Sequence, residues 1–457
     1  MASFTTLLFS VFTLFSLLVL ASSSKNNIPA TITIPLTPTF TKNPSTEPLL
    51  FLQHLATASM SRSHHLKYGK ASPLIQTSLF PHYGGHTIPL SFGTPPQKLS
   101  FQVDTGSHVV WAPCTTHYTC TNCSFSNPKK VPIFNPELSS SDKILGCRDP
   151  KCADTSSPDV HLGCPRCNGN SKKCSHACPQ YTLQYGTGAE SGFFLLENLH
   201  LPGKTIHKFL VGCTTSADRE TSSYALAGFG RTMFSLPMQM GVKKFAYCLN
   251  SHDYDDTRNS GKLILDYSDG ETQGLSYAPF LKNPPDYLVY YYLGVKDMKI
   301  GNKLLRIPGK YLTPGSDSRG GVIIDSGFTY GYMTLPVFKI VTNELKKQMS
   351  KYRRSLEAEA ESGLTPCYNF TGHKSIKIPD LIYQFTGGAN MVVPGMNYFL
   401  VFSEASLGCF PVTTDSPTNN LEFTPGPSII LGNYQQVDHY VEFDLKNERL
   451  GFRQQTC

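Results

Sequence analysis

Hydrophobic and polar positions alternate along most of the chain after about residue 83, a pattern typical of β-strands with one buried face. Residues 86–93 (HTIPLSFG) and 98–106 (KLSFQVDTG) show it clearly and flank a Gly-Thr-Pro-Pro turn. Further strand candidates are residues 209–213, 262–266, 287–295, 321–327, 398–402 and 440–445. Helical spacing is clearest at 335–361, where Phe338, Val341, Leu345 and Met349 share one face. The pattern predicts a mostly β fold.

The first 75 residues have a different character. Residues 7–20 are an apolar run followed by small residues, which predicts a signal peptide over 1–23, with an uncleaved N-terminal anchor as the alternative. Residues 24–75 contain no Cys and are rich in Ser, Thr, Pro and His, with a short helical stretch at 48–68. The segment also contains the basic residues Lys42, Arg62, Lys67 and Lys70. This composition predicts a prosegment that covers an acidic cleft, and the alternative is a disordered tail.

An internal repeat divides the remainder into two halves. Residues 101–107 (FQVDTGS) and 322–328 (VIIDSGF) each place an aspartate after an apolar strand and before Thr/Ser-Gly. Each half later offers an apolar pair followed by glycine, at 226–228 and at 430–432. The repeat predicts an N-terminal lobe over 76–265 and a C-terminal lobe over 266–457, with one aspartate from each lobe at a shared cleft.

Two carboxylates held together can perform acid–base chemistry. Close carboxylates cannot both ionise, so Asp104 and Asp325 would share a proton, one acting as general base on a water and the other as general acid. The residues that follow support the two turns: glycines permit a close backbone approach and hydroxyls can lock the turns together. They are Thr105, Gly106 and Ser107 in the first lobe, and Ser326 and Gly327 in the second.

Charge and cysteines narrow the class of protein. The net charge is +7 and no Lys/Arg block exceeds three residues, which argues against nucleic-acid binding. All 14 Cys follow the leader, and an even number in an exported chain favours disulfides. The CxxC pairs Cys120/Cys123 and Cys164/Cys167 leave a four-thiolate zinc site as a weaker alternative. Asn122 and Asn369 begin N-glycosylation sequons.

Several motifs together carry a family resemblance from about residue 83 to the end of the chain. They are FGTPP (92–96), VDTGSHVVW (103–111), QYGTG (184–188), AGFGR (227–231), FAYC (245–248), VIIDSG (322–327) and IILGNYQQ (429–436). With them the chain resembles the pepsin family of aspartic proteases and, within it, the plant nepenthesin-like branch. Aspartic proteases are the standard example of a shared-proton dyad. The resemblance implies two six-stranded, barrel-like lobes around a central cleft, with Asp104 and Asp325 as the catalytic pair.

The resemblance also implies supporting residues. Tyr185 and Gly186 would belong to a flap over the cleft, and the indole of Trp111 would donate to the Tyr185 hydroxyl. Implied disulfides are Cys114–Cys213, Cys120–Cys123, Cys248–Cys457 and Cys367–Cys409. The six Cys of 147–178 resemble the cysteine-rich insertion of that branch, for which we expect Cys147–Cys178, Cys152–Cys174 and Cys164–Cys167.

One departure concerns the second lobe. The family places a hydroxyl residue after each Asp-Thr/Ser-Gly; Ser107 satisfies this, but Phe328 takes that place beside Asp325. A phenyl ring cannot donate a hydrogen bond, so we expect the protonated form of the dyad to be favoured and activity to be reduced or shifted in pH.

The resulting hypothesis is a secreted aspartic endopeptidase that acts on polypeptides at acidic pH. It requires no metal and no cofactor, is monomeric, and has no membrane attachment once the signal peptide is removed. We expect an extracellular location, with the vacuole as the alternative. The competing hypothesis is an inactive relative on the same scaffold, an extracellular binding protein or glycosidase inhibitor. A metal-binding or redox protein rests on the CxxC pairs alone.

Overall fold

The computed structural model describes residues 30–38, 48–68, 85–115, 117–121, 132–154, 164, 176–185, 188–218, 225–250, 261–402, 406–415 and 425–457. Strands predominate over helices among the described residues, which confirms the predicted mostly β architecture. The signal peptide predicted at 1–23, much of the predicted prosegment, and Asn122, Cys123, Cys167, Cys174 and Gly186 lie outside these ranges. Within them, no helix is both long and apolar enough to span a bilayer.

The elements up to residue 266 form the first lobe and the segment before it. The strands are β1 Thr31–Pro38, β2 His86–Phe92, β3 Gln97–Asp104, β4 Val110–Pro113, β5 Thr119–Cys120, β6 Lys143–Ile144, β7 Tyr181–Tyr185, β8 Gly188–Leu201, β9 Lys204–Ala217, β10 Ala225–Gly228, β11 Lys244–Cys248 and β12 Gly261–Asp266. The helices are α1 Pro48–Tyr68, α2 Pro150–Asp154 and α3 Leu236–Met240, with a 3-10 turn at Pro136–Leu138.

The second lobe is also built mainly of short strands. The strands are β13 Ser276–Pro279, β14 Tyr291–Leu293, β15 Val295–Ile300, β16 Lys303–Leu304, β17 Val322–Ile324, β18 Gly331–Met333, β19 Arg353–Arg354, β20 Cys367–Asn369, β21 Leu381–Phe385, β22 Asn390–Val393, β23 Leu400–Phe402, β24 Leu407–Cys409, β25 Val412–Thr413, β26 Ile429–Leu431, β27 His439–Asp444 and β28 Arg449–Gln454. The helices are α4 Gly309–Leu312, α5 Leu335–Gln348, α6 Leu356–Ser362 and α7 Asn433–Gln436, with a 3-10 turn at Gly395–Asn397.

A continuous sheet joins the two lobes. Its strands run in the order β13-β28-β27-β11-β12-β1 and continue through β2 into the first lobe as β2-β3-β10-β4-β9-β8-β6. The antiparallel partners β11 and β27 come from different halves of the chain, with Phe245 opposite Phe443. Their rings stack with centroids 4.5 Å apart, so the junction is packed as a core and not as a solvated hinge.

Each lobe contains the same local arrangement of three strands. In the first lobe β10 lies between β3, to which it is parallel, and β4, to which it is antiparallel. In the second lobe β26 lies in the same way between β17 and β18. The central strands are the apolar pairs that sequence analysis found before glycine. The repeat read from the sequence is therefore a structural repeat, and it places Asp104 and Asp325 at equivalent ends of β3 and β17.

The segment before the first lobe packs onto the body of the protein. Strand β1 pairs with β12 from Thr31–Asp266 to Leu36–Gly261, and its last two residues turn onto β2. Helix α1 has the bounds 48–68 that the sequence predicted. Its apolar residues Leu52, Leu55 and Ala56 are buried in a cluster with side chains of the second lobe, including Tyr330, Leu364, Leu400 and Tyr434.

The single helix predicted at 335–361 was wrong in its extent. Helix α5 ends at Gln348, and Arg353–Arg354 forms strand β19 against Tyr368 and Asn369 of β20. A new helix, α6, then begins after Ser355, whose hydroxyl accepts the backbone N–H of Ala358. Strand pairing from a distant segment therefore interrupts a stretch whose local pattern is helical, which periodicity alone cannot show.

Three of the disulfides implied by resemblance are present: Cys114–Cys213, Cys248–Cys457 and Cys367–Cys409. The pairing expected within the insertion was wrong, since Cys147 bonds to Cys164 and Cys152 to Cys178. The sulfurs of Cys147, Cys152 and Cys164 lie within 4.8 Å of one another. All three are consumed in disulfides, so they cannot act as zinc thiolates, and Cys164 is removed from the four-thiolate alternative.

Candidate active site

The two aspartates are brought together by the loops that follow β3 and β17. Asp104 is the last residue of β3, paired in register with Gly228, and its carbonyl accepts the N–H of Phe229 at 2.7 Å. Asp325 follows β17 directly, and its N–H donates to Leu431 O at 2.9 Å. Both side chains are 0% exposed. The backbone of each aspartate is thus fixed by the neighbouring strand that the repeat supplies.

The hydroxyls of Thr105 and Ser326 lock the two loops to each other. The Ser326 N–H donates to Thr105 Oγ1 at 2.9 Å, and the Thr105 N–H donates to Ser326 Oγ at 3.2 Å. The Ser326 hydroxyl also donates across the lobes to Val103 O at 3.1 Å. These bonds are buried and reciprocal, so the relative position of the two carboxylates is held by both lobes at once.

Glycine is required after each lock residue because the opposite carboxylate lies against the backbone. A Cβ on Gly106 would stand 2.4 Å from Asp325 Oδ2, and one on Gly327 would stand 2.3 Å from Asp104 Oδ1. Real Cβ atoms do not approach oxygen so closely. Each glycine also donates its N–H to the aspartate of its own loop at 2.9 Å. The predicted support residues therefore meet around one dyad.

Arg62 of helix α1 lies between the two carboxylates. Its Nη2 is 2.6 Å from Asp104 Oδ1 and 2.9 Å from Asp325 Oδ2, and its Nε donates to Asp325 Oδ2 at 3.2 Å. A cation contacting both aspartates neutralises part of their mutual repulsion. The segment before the lobes therefore covers the dyad with a charged side chain, and the position between the two inner oxygens is filled by a guanidinium nitrogen.

The two aspartates have unequal affinities for a proton. Burial opposes charge on both, but for Asp104 the nearby Arg62, the Ser107 hydroxyl and the Gly106 N–H outweigh it and lower the pKa. For Asp325, burial and the charge of Asp104 outweigh Arg62 and the Gly327 N–H, so the pKa is raised. Asp104 is therefore the member that stays ionised and Asp325 the member that holds the proton.

The hydroxyl of Ser107 accounts for part of this difference, and the second lobe has Phe328 at the equivalent position. Ser107 lies close enough to Asp104 to favour its charged form, although within the described residues neither Ser107 Oγ nor Asp104 Oδ2 makes a hydrogen bond of normal geometry. Phe328 is fully buried and packs in a cluster with Leu66, Tyr290, Tyr292, Ile323, Tyr332 and Ile430. The second lobe thus uses this position for packing and not for hydrogen bonding.

The predicted flap is a hairpin of β7 and β8. Tyr185 is opposite Gly188 at the end next to the turn, and the turn residues 186 and 187 lie outside the described residues. Helix α1 contacts β7. Trp111 is buried on β4 in a cluster with Leu145, Tyr181 and Phe194. The expected bond from Trp111 to the Tyr185 hydroxyl involves a side chain outside the described part of the chain and stays a prediction.

Comparison with known proteins agrees with this geometry. Two family models match, the xylanase inhibitor N-terminal model over residues 86–265 and the xylanase inhibitor C-terminal model over 290–454. A probable aspartyl protease of Arabidopsis thaliana is 29% identical over 81% of this chain and 82% of its own length. Nepenthesin-1, an aspartic proteinase of Nepenthes gracilis, is 28% identical over 84% of this chain and 80% of its own. The chain belongs to the pepsin-like aspartic protease family.

Solved structures with the same fold match most of the chain. The crystal structure of edgp is similar with a TM-score of 0.62 at 18% identity, over 93% of this chain and 95% of that one. Basic 7S globulin from soybean gives a TM-score of 0.60 at 15% identity, over 93% and 95%. At such identities these likenesses concern the fold only.

Some residues at the pepsin-like site were not singled out by sequence reasoning. Asn433, in the IILGNYQQ motif, donates its side-chain amide to Ser326 O at 3.0 Å and so supports the second loop. Tyr332 and Asp415 contact Lys67 of α1. The basic character of α1 was the one available signal for Arg62 and Lys67. Asp415 had none, because no motif near it in sequence marks it as a partner of Lys67.

Proposed function

We propose that this protein is a secreted aspartic endopeptidase, made as a latent precursor and active at acidic pH once helix α1 leaves the cleft. The observation that carries the proposal is the dyad itself: two fully buried aspartates, one from each lobe, held by reciprocal hydroxyl bonds and bridged by Arg62 Nη2 at 2.6 and 2.9 Å. A purely structural role does not require two carboxylates to share so small a space.

In the proposed reaction, the nitrogen of Arg62 stands where a nucleophilic water would be held. Asp104, whose charged form is still favoured by the Ser107 hydroxyl and the Gly106 N–H after Arg62 has left, accepts a proton from that water as its oxygen adds to the carbonyl carbon of a peptide. Asp325, whose pKa is raised, donates its proton to the carbonyl oxygen. The tetrahedral intermediate then expels the amine, which takes a proton from Asp104, while the hydroxyl proton returns to Asp325. Every bond change is between substrate, water and the dyad.

The proposed latency follows from the same contacts. While Arg62 bridges the dyad, neither a water nor a peptide carbonyl can reach both inner oxygens. Residues 24–75 would be the prosegment and 1–23 the signal peptide, which directs the precursor to the extracellular space. Removal of the prosegment would leave lobes spanning 76–265 and 266–457.

A non-catalytic role is the second candidate. Its support is that both matching family models are described as xylanase inhibitor domains. Against it stands the retention of both aspartates, both lock hydroxyls and both glycines in a geometry that selection for binding alone does not explain.

The two candidates are separated by one experiment. The chain is expressed from Ser24, acidified, and incubated with a denatured protein with and without pepstatin. Asp104→Asn and Asp325→Asn serve as inactive controls of the same size and fold. We expect pepstatin-sensitive cleavage by the wild type alone. Equal cleavage by the variants, or none by the wild type at any acidic pH, would reject the protease and favour the inhibitor or binding role.

A further inference from the structure

Helix α1 makes a second charged contact with the second lobe, one turn and a half beyond Arg62. The ammonium of Lys67 lies 2.9 Å from Asp415 Oδ1 and contacts the Tyr332 hydroxyl, whose own proton is donated to Asp415 Oδ2 at 2.7 Å. The same ammonium lies over the Tyr332 ring, 4.6 Å from its centroid. Lysine, tyrosine and aspartate therefore form a closed triangle of charge-assisted bonds.

Lys67 is held through both its side chain and its backbone. Lys67 is 1% exposed although lysine is rarely buried without a partner. Its backbone is also bound, because the Lys67 carbonyl accepts a hydrogen bond from the Tyr287 hydroxyl. Gly426 has a φ of +78°, and a Cβ there would stand 2.9 Å from Lys67 Cα, so only glycine lets the segment approach so closely.

The acidic side of the pocket around Lys67 belongs to the second lobe. Tyr332 lies on β18 and Asp415 follows β25, and these strands pair with Tyr332 opposite Thr413. Among the described residues, Lys67 is the one cation paired with Asp415. The Asp415 side chain is only 15% exposed. When the prosegment leaves, Asp415 loses the ammonium of Lys67, and a recessed carboxylate is costly without a compensating charge.

We propose that this pocket is a substrate subsite for a basic side chain, lysine in particular, and that Lys67 occupies it in the precursor as an internal mimic. The inference rests on the proposed proteolytic function. Five residues of helix separate Arg62 from Lys67, about 7.5 Å along the axis. An extended peptide covers that distance in two or three residues. The preferred lysine is therefore two or three residues from the scissile bond, on one side of it.

Specificity profiling tests the subsite. The matured enzyme, prepared from the folded precursor, is given a pool of octapeptides containing all residue types, and the cleavages are mapped by mass spectrometry. Matched fluorogenic peptides with Lys or Met at the mapped position then give kcat/KM. We expect Lys to exceed Met by about tenfold or more, in line with a hydrogen-bonded charge pair. The Lys/Met ratio falls toward one in Asp415→Asn, and Asp415→Lys prefers Glu over Lys.

Asp317→Asn is the matched control, because Asp317 is an exposed acid of the same lobe, with 59% of its side chain accessible. Its Lys/Met ratio stays at the wild-type value. Thermal unfolding of all variants checks that each is folded, and the charge-swapped variant provides a gain of preference that misfolding cannot produce.

A binding arm separates failure of this inference from failure of the proposed function. Fluorescein-labelled octapeptides identical except for Lys or Met are titrated onto the matured chain with the Asp104→Asn substitution. Cleavage without a lysine preference, or with one that persists in both Asp415 variants, overturns the subsite and leaves the protease intact. Absence of cleavage together with Asp415-dependent binding of the Lys peptides overturns the protease and supports the pocket. Absence of both effects overturns the subsite.

Discussion

Thr105 and Ser326 accept each other's backbone N–H groups, at 2.9 and 3.2 Å, across the boundary between the two lobes. Each loop is therefore positioned by the opposite half of the chain, 221 residues away. The geometry of the dyad therefore depends on both lobes, and a substitution in either loop should alter the position of both carboxylates.

Removing one lock hydroxyl tests this coupling. Ser326→Ala leaves the buried Thr105 N–H without its acceptor, so we expect the free energy of unfolding to fall by about 1–3 kcal/mol and kcat to fall with it. Chemical denaturation and steady-state kinetics measure the two. Ser362→Ala removes another buried serine hydroxyl, on α6, and should lower stability while leaving kcat unchanged. An equal loss of kcat in both variants would contradict a specific role for the lock.

The glycine after the lock residue is expected to tolerate no side chain. Gly106→Ala puts a methyl group 2.4 Å from Asp325 Oδ2, so the carboxylates must separate and activity should be lost by at least two orders of magnitude. Gly309→Ala, on α4, meets nothing within 4 Å and should retain wild-type kcat/KM. Activity in Gly106→Ala near that of the wild type would mean that the dyad is less tightly packed than described.

Arg62 should be responsible for the latency of the precursor. Arg62→Met keeps an unbranched side chain and removes the guanidinium, so we expect the uncleaved chain to bind a labelled pepstatin at mildly acidic pH above about 4, where the wild-type precursor does not. Gln53→Met is the matched change at an exposed position of the same helix and should leave the precursor closed. Fluorescence polarisation with the uncleaved chains decides between them.

Acid should release α1 through Asp104. Because the folded pKa of Asp104 lies below the ordinary 3.8, its pairing with Arg62 contributes stability that is present above pH 3.8 and is lost as the pH falls through the folded value. We therefore expect inhibitor binding by the wild-type precursor to begin only below about pH 4. Arg62→Met should bind without this threshold. Opening of the wild-type precursor well above pH 5 would point to a different trigger.

Phe328 should set the upper pH limit of activity. Phe328→Thr offers Asp325 a hydroxyl donor, which favours its charged form and lowers its pKa, so the fall in kcat/KM at rising pH should move to lower pH. The truncation also costs about 3–5 kcal/mol of stability, because Phe328 is fully buried. Phe328→Leu keeps the burial without a donor and should leave the profile in place. A wild-type profile in the threonine variant would show that this position does not control the dyad.

Much of the site could be predicted because its determinants are local and repeated. Asp104 and Asp325 follow apolar strands and precede glycine in both halves, and that short pattern is sufficient to specify the turn. The bounds of α1 were also predicted correctly. These features depend on residues close together in sequence.

What could not be predicted depends on distant partners. The contact between Arg62 and Asp325 joins positions 263 residues apart, and charge alone indicates that such a contact is favourable but not which basic residue makes it. The break in the helix predicted at 335–361 arises because β20 captures Arg353 and Arg354 as a strand. The connectivity of Cys147, Cys152, Cys164 and Cys178 follows from the folded path of the insertion, and sequence spacing permits several pairings.

The pairing of strand β1 has a consequence for refolding. It pairs with β12 along most of its length, buries Ile32, Ile34 and Leu36, and links the central sheet to β2. If residues 24–75 are removed as we propose, β12 loses its partner strand β1. The mature enzyme then keeps a fold that formed in the presence of residues it no longer contains. The folded state of the mature enzyme would then persist because its unfolding is slow. Refolding after denaturation should succeed for the precursor and fail for the matured enzyme. Equal recovery of folded protein from both would show that the two lobes fold without residues 24–75.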